Sequence, residues 1–566
     1  MNARDAAQLS TGHTAPHLEG AARASKNGAA VALLLFFVSL YSLTVRGVPP
    51  GGDPLAMFLM TESLLRDRSV FIENDQSTYL VPAPGGKYTS KYGLLQSVAE
   101  MPLLAAASLF FPDSGAGDAY PFHVRYLVTS FTTPVVSALW CLTVFFFALE
   151  LGFTRRLSLF LSLLAGCATL TLPHSKSLYS EPLQGLLLTS ACLWAFRASK
   201  SRGVPPVFYC GAAAGLLVLT KPVNILLFPI FLFYIAATLP GRGEGRRRTL
   251  AYPAALIAPV AVCALAALWF NRARFGDPWE FGYTAGFSRD TLYGFSLPLW
   301  MGVYGLVAST GKGILIYVPV TWFLFSVWRG FLRENRREAL LFAALAAVFL
   351  CIYGKWNQWH GDYAWGPRFL VPLMGLIVLP AGYLLRDFAC WSAWKKGAAA
   401  LVISASLFIQ FLGTAVNSHE YIRLVKTQVP YGILFRPGRL DLRDELLLTH
   451  FVPDFSPIAG HWWLLKHTVT GKGGKPDGTL KNMRDDFPWK NLARYAAPAD
   501  PRPALGWDFW WDYFPRYFPG SRSWTRPLAA AMSAPLALSS VLLILFMKKA
   551  APSRDEPGSL EKKPPA

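Results

Sequence analysis

The sequence predicts an all-α polytopic membrane protein of about twelve transmembrane helices, and three observations predict it. Apolar runs of 15 to 27 residues recur from end to end without strand alternation, and within lipid only helices or closed barrels satisfy their own backbone. Hydrophobic residues make up 53% of the chain and charged ones only 16%. Basic residues then collect on alternate inter-span loops, as they do when they set orientation.

In chain order, residues 1–28 are polar and read as a cytoplasmic tail. The first apolar run, 29–45, lacks a small-residue cleavage site and reads as a signal anchor. Eleven more spans follow at 124–150, 157–173, 183–197, 206–220, 224–240, 250–270, 314–331, 338–354, 369–386, 397–416 and 527–547. With the N-terminus inside, five short inner loops carry 16 basic residues, from Arg155 and Arg156 to Lys395 and Lys396. Three short outer loops carry only Lys176, Lys221, Lys355 and Arg368, and Lys548 and Lys549 put the C-terminus inside as well. Residues 94–111 are apolar enough to span, but they contain Glu100 and Pro102. Counting them would invert every later loop, so they read as a helix on the outer membrane surface.

Three long outer segments result: 46–123, 271–313 and 417–526. The third holds seven of the 19 tryptophans, with Trp507-Asp508-Phe509-Trp510-Trp511-Asp512-Tyr513 at its densest. Rings mixed with acids suit the headgroup region, so interfacial anchoring is the expected role, with a glycan-stacking platform as the alternative. Residues 548–566 read as a disordered cytoplasmic tail. The formal charge of +20 does not point to nucleic acid, because the inner basic residues sit in short clusters between spans. The seven cysteines lie in or beside apolar runs with no CxxC, so neither zinc nor a disulfide framework is implied.

Acidic and basic residues at the outer span mouths suggest chemistry on a lipid-anchored substrate. Glycosyl transfer from a lipid phosphate needs a carboxylate to take the acceptor's proton and cations to hold the leaving phosphate. Asp53 follows the first span in Pro49-Pro50-Gly51-Gly52-Asp53-Pro54 and heads a helical pattern over 54–66 that contains Glu62. The ordinary role of Asp53 would be N-cap to that helix. Glu181 opens the fourth span in Tyr179-Ser180-Glu181-Pro182, where the helix dipole alone would favour it. Phosphate-binding candidates are Lys91, Arg125, Lys221, Lys312 and Arg368, each of which is ordinarily a snorkelling cation. Thr310-Gly311-Lys312-Gly313 lacks P-loop spacing. The cluster from Lys355 to Arg368 mixes rings and polar groups as sugar sites do, through Trp359, His360 and Asp362. His360 and Asp362 are also metal-ligand types, but two without a third leave a divalent metal an open alternative.

Over about residues 29–420 the chain resembles membrane glycosyltransferases of the GT-C fold. The branch is that of the bacterial relatives of protein O-mannosyltransferases and the lipid A aminoarabinose transferase. The elements that carry the resemblance are, in order, Asp53 with its helix, Lys91-Tyr92-Gly93, His123-Val124-Arg125, Glu181, Leu219-Thr220-Lys221-Pro222, Phe275-Gly276-Asp277-Pro278 with Gly282-Tyr283, Gly311-Lys312-Gly313 with Pro319, and Trp359-His360-Gly361-Asp362 through Gly366-Pro367-Arg368. The resemblance implies a polyprenyl-phosphate sugar donor, transfer on the outer side of the inner membrane to a lipid, glycan or protein hydroxyl, and Asp53 as base or as holder of acceptor or metal. Many relatives have a second acid where this chain has Pro54, and Asp where it has Glu181. The competing expectations are a transporter or flippase of a lipid-linked glycan, which would require broken helices with charges at the midplane, and a non-catalytic envelope scaffold.

Overall fold

The computed structural model describes residues 14–47, 52–72, 80–112, 119–239, 246–283, 294–419, 421, 422, 425, 447–470 and 506–548. Each of the twelve predicted spans coincides with helical backbone among these residues. Seven helices are long and apolar enough to cross a membrane by length and composition, and the remaining predicted spans are shorter or less apolar. The chain is an all-α polytopic membrane protein. The expected tail from 549 onward lies outside the described residues, as do large parts of 417–526.

The spans pack in a closed order. Thr14–Thr44 lies against Thr132–Glu150 and against Arg522–Lys548, so the first and last described helices share one bundle. Val204–Thr220 packs on both Glu181–Ser201 and Arg246–Phe275. Its contact with the latter is close because Gly211 and Gly215 have no side chain. A Cβ at either would stand 2.5 Å from the Leu256 carbonyl oxygen or 2.7 Å from that of Pro259.

Four expected spans are interrupted: 157–173 between Cys167 and Thr171, 314–331 at Val318, and two in which proline is the cause. The 124–150 run becomes Ala119–Ser130 and Thr132–Glu150, because Pro134 has no N–H to give the Ser130 carbonyl. The 369–386 run is a chain of short helical pieces, Arg368–Leu373, Met374–Val378, Leu379–Ala381 and Gly382–Leu385, interrupted at Pro372 and Pro380. Almost all of it is buried, so neighbouring spans enclose the irregular backbone.

The segments expected on the outer side hold structure that periodicity did not predict. A hairpin pairs Val81–Ala83 with Lys87–Thr89, and its turn uses Gly85 and Gly86 at φ of 75° and 72°. Within 271–313, the helix Leu299–Ala308 packs on Arg336–Lys355, with Gly302 against the Gly354 backbone. Leu94–Phe110 is helical as expected and lies on Gly52–Glu62 and Ala119–Ser130.

Within the tryptophan run, Trp510 packs inside the protein rather than at a surface. Trp510 is fully buried, edge-on to Phe131 and stacked on Trp524. Its ring is part of the protein core because its indole N–H has a protein acceptor, the Ser42 carbonyl.

Candidate functional site

The expected helix after the first span forms over Gly52–Glu62, with Asp53 in its first turn. The capping role is not where the carboxylate goes. Oδ1 accepts a hydrogen bond from the Tyr92 hydroxyl, and Oδ2 pairs with Arg368 Nη2 at 2.9 Å. Burial alone would raise the Asp53 pKa, but Arg368, the Tyr92 hydrogen bond, Lys91 and Lys221 outweigh it and hold the carboxyl below its ordinary range. Tyr92 moves the opposite way, since burial and the Asp53 charge both raise it, and so it stays a donor.

Arg368 bridges two acids. Its Nε lies 3.5 Å from Glu181 Oε1 without a properly aligned hydrogen bond, so this buried donor is under-used. Tyr179 and Phe369 flank its guanidinium, each ring centre 5.0 Å away. Lys221 stands 4.0 Å from the same Glu181 oxygen, over Phe369 at 4.5 Å and Tyr353 at 5.0 Å. Those two rings stack at 4.3 Å. Lys91 lies over Tyr283 at 5.3 Å and Tyr92 at 5.7 Å. Burial lowers the Lys91 pKa, against the opposing pull of Asp53 and Asp362.

The local backbone explains why these groups converge. Gly93 lies against Val204–Thr220 so closely that a Cβ would sit 2.2 Å from the Thr220 carbonyl oxygen. That approach brings Lys91 and Tyr92 beside Lys221. Arg274 holds the other side of the loop: one amino group takes the carbonyls of Ser90 and Tyr92, and the second donates to Asn271 at 2.7 Å. Arg368 follows a stretch in which Gly361, Asp362 and Gly366 have φ of 66°, 55° and 62°. Lys312 fixes that stretch by donating to the carbonyls of Asp362 at 3.0 Å and Ala364 at 2.5 Å.

The structure therefore brings together Asp53, Glu181, Lys91, Lys221 and Arg368, with Asp362 exposed nearby. Other candidates have different partners. Arg125 pairs with Glu62 at 2.7 Å and donates to the Phe111 carbonyl, tying the Asp53 helix to the next span. The Lys312 bonds to main-chain carbonyls are those of a loop support. Trp359 is buried beneath Gly305 and beside His450 and Phe451. His360 is also buried, its Nδ1 accepting from the Asp362 N–H and its ring 4.9 Å from that of His450. Among the described residues no group of three His, Cys, Asp or Glu could hold a metal ion. Asp53 and Glu181 face the Arg368 guanidinium between them, and the donors that could meet an anion are Arg368, Lys221 and Lys91.

Sequence reasoning quoted Tyr92, Tyr179 and Tyr283 inside its motifs but gave none of them a role at the site. It also missed Tyr353, Arg274 and Asn271, for which the sequence holds no local signal. Asp53 and Lys221 keep 19% and 20% of their side-chain surface exposed, whereas Arg368 and Glu181 keep 6% and 4%. A ligand can thus reach the carboxylate and one lysine while the arginine supports them from below.

No family model matches the chain, and no curated protein matches it. Among solved structures, it is similar to the oligosaccharyltransferase of Archaeoglobus fulgidus in complex with zinc and sulfate. Identity is 16% over 69% of this chain and 55% of that one, with a TM-score of 0.46. The chain thus spans little more than half the length of that protein. It is also similar to ArnT from Cupriavidus metallidurans bound to undecaprenyl phosphate, at 14% identity over 92% of this chain and 75% of that one, TM-score 0.46. At these values neither likeness bears on function, which rests on the site's own geometry.

Proposed function

We propose that the protein is a membrane glycosyltransferase of GT-C type. It moves a sugar from a polyprenyl-phosphate donor to an acceptor hydroxyl on the outer side of the bacterial inner membrane. The observation that carries this reading is the Asp53 carboxylate held between Arg368 and Tyr92, with Lys91 and Lys221 close enough to lower its pKa. A base and a phosphate-binding set of cations share one partly open site.

The donor phosphate would bind between Lys91, Lys221 and Arg368, drawing the guanidinium from Asp53 toward the phosphate. Asp53 loses its ion pair and gains basicity as it does so. The acceptor hydroxyl then attacks the anomeric carbon, its proton passing to Asp53. The bond between that carbon and the phosphate oxygen breaks, and its electron pair leaves with the polyprenyl phosphate. The three cations stabilise the charge that develops there. One displacement inverts the anomeric carbon. Glu181, in contact at 3.5 Å, tethers Arg368 from its other side as the guanidinium turns from Asp53.

The test is chemical. Reconstituted protein is given polyprenyl-phosphate sugars labelled in the sugar, together with extracted envelope lipids and glycans. Free polyprenyl phosphate is then measured against label leaving the donor. Equal release of both is the expected result. Movement of intact donor across the bilayer without bond cleavage would instead support a flippase.

A further inference from the structure

The Trp507–Tyr513 stretch takes no part in the site above, and its bonds are of another kind. The first span ends at Thr44, so the carbonyls of its last turn lack partners within the helix. Trp510 Nε1 donates to Ser42 O at 2.9 Å, Trp511 Nε1 to Leu43 O at 3.0 Å, and the Trp510 backbone N–H to Val45 O at 2.7 Å. The Ala393–Ala415 span ends beside it. There Lys176 Nζ donates to Thr414 O at 2.9 Å, and the Asp508 N–H to Ala415 O at 2.9 Å.

Asp508 joins these ends. Its side chain is 1% exposed, 2.8 Å from Lys176 Nζ and 3.4 Å from Arg46 Nε. The Arg46 N–H donates to the Lys176 carbonyl at 3.0 Å. His419 and His461 are further titratable groups close to Asp508, and Tyr513 lies under Arg46 at 5.7 Å. Burial would raise the Asp508 pKa, but Arg46 and Lys176 outweigh it and keep the carboxylate charged.

From Lys176 the chain runs straight into the site. Tyr179 is turned back on Ser177 by a 2.7 Å backbone bond and flanks Arg368, and Glu181 is the next acid along, touching the same guanidinium. We propose that Asp508, with the indoles of Trp510 and Trp511, is a positioning clamp that sets the Lys176–Glu181 segment so that Arg368 stands between Asp53 and Glu181. The consequence for rate rests on the transferase reading; the geometric claim does not.

Three variants test it. Asp508→Asn removes the charge and Trp510→Phe removes one N–H. The triple variant Arg46→Met, Lys176→Met, Asp508→Leu replaces the ions with apolar groups of similar volume, which commonly preserves folding. Two readouts are taken on folded protein only: the titration midpoint of the Asp53 carboxyl by isotope-edited infrared spectroscopy, and turnover of a polyprenyl-phosphate sugar. The clamp predicts that the Asp53 midpoint rises as Arg368 moves away. It also predicts that kcat falls by roughly 100-fold, the cost of an ångström-scale misplacement, while the donor KM, shared with Lys91 and Lys221, changes less. A wild-type midpoint and kcat in the folded variants would overturn the proposal and leave the cluster a purely stabilising role. If the midpoint shifts but wild-type protein transfers no sugar, the clamp stands and the transferase reading fails.

Discussion

In the proposed reaction Arg368 cannot serve Asp53 and a bound phosphate equally, and that competition would give the site its chemistry. With no ligand, the guanidinium holds Asp53 at 2.9 Å and keeps it ionised below its ordinary range. Its folded-state value is depressed, so its contribution to stability is present above pH 3.8 and is lost as pH falls through the lower folded value. Glu100 behaves in the opposite sense. Thr61 has one hydroxyl proton and lies 2.9 Å from the Met57 carbonyl and 2.8 Å from Glu100 Oε2. If that proton goes to Met57, Glu100 must supply the other, as a neutral acid. Burial pushes its carboxyl up to about 8 from 4.5. Such a raised value stabilises the fold fully below pH 4.5 and loses that contribution as pH rises through about 8. Glu100→Gln keeps a donor for Thr61 and an acceptor for Gln96. Its thermal unfolding temperature should therefore match wild type at pH 5 and exceed it at pH 9; parallel curves across that range would contradict the assignment.

At the scale of elements, the site depends on how closely the Asp53 loop approaches the Val204–Thr220 helix. Gly93→Ala puts a methyl 2.2 Å from a main-chain oxygen that has no freedom to turn away. Overpacking of this kind costs about 1–3 kcal/mol. The variant should melt earlier and lose donor affinity, because Lys91 and Lys221 are pushed apart. Wild-type affinity in a folded Gly93→Ala variant would mean that the two lysines do not share a ligand. The sequence makes Gly93 visible within Lys91-Tyr92-Gly93, but not its partner, which lies far along the chain. The same holds for Tyr179 and Tyr283: each stands beside a conspicuous residue, and only tertiary packing turns them toward Arg368 or Lys91. Trp510 is the converse case. Rings mixed with acids fit a membrane interface and a helix cap alike, and only the position of the Ser42 carbonyl separates the two.

For the whole molecule, the helices were legible because the length of an apolar run carries its own physical meaning in lipid, and all twelve coincide with helical backbone. The breaks at Pro134 and Pro372 were not read in advance, since hydropathy alone makes 124–150 and 369–386 continuous runs. The hairpin at Val81–Thr89 and the helix Leu299–Ala308 were not legible, since both are short and shaped by what they pack on. Orientation follows from charge alone, and Cys390 tests it. This exposed cysteine lies in an expected inner loop between Arg386 and Lys395. In a variant with Cys390 as its single cysteine, a membrane-impermeant maleimide should label inverted vesicles and leave intact spheroplasts unlabelled. The reverse pattern would contradict this orientation, either by placing Asp53 on the inner side or by making 94–111 a span that inverts every later loop.

The central claim is that Asp53 takes the acceptor's proton as the sugar leaves its phosphate. Single-turnover transfer by Asp53→Asn, with donor binding measured on the same preparation, tests it most directly. The side-chain amide retains the shape and cannot accept the proton. Donor binding should persist, held by Lys91, Lys221 and Arg368, while transfer falls by roughly 100-fold to 10,000-fold, the range for loss of a general base. Transfer at the wild-type rate in a folded, donor-binding Asp53→Asn protein would contradict the assignment of Asp53 as the base.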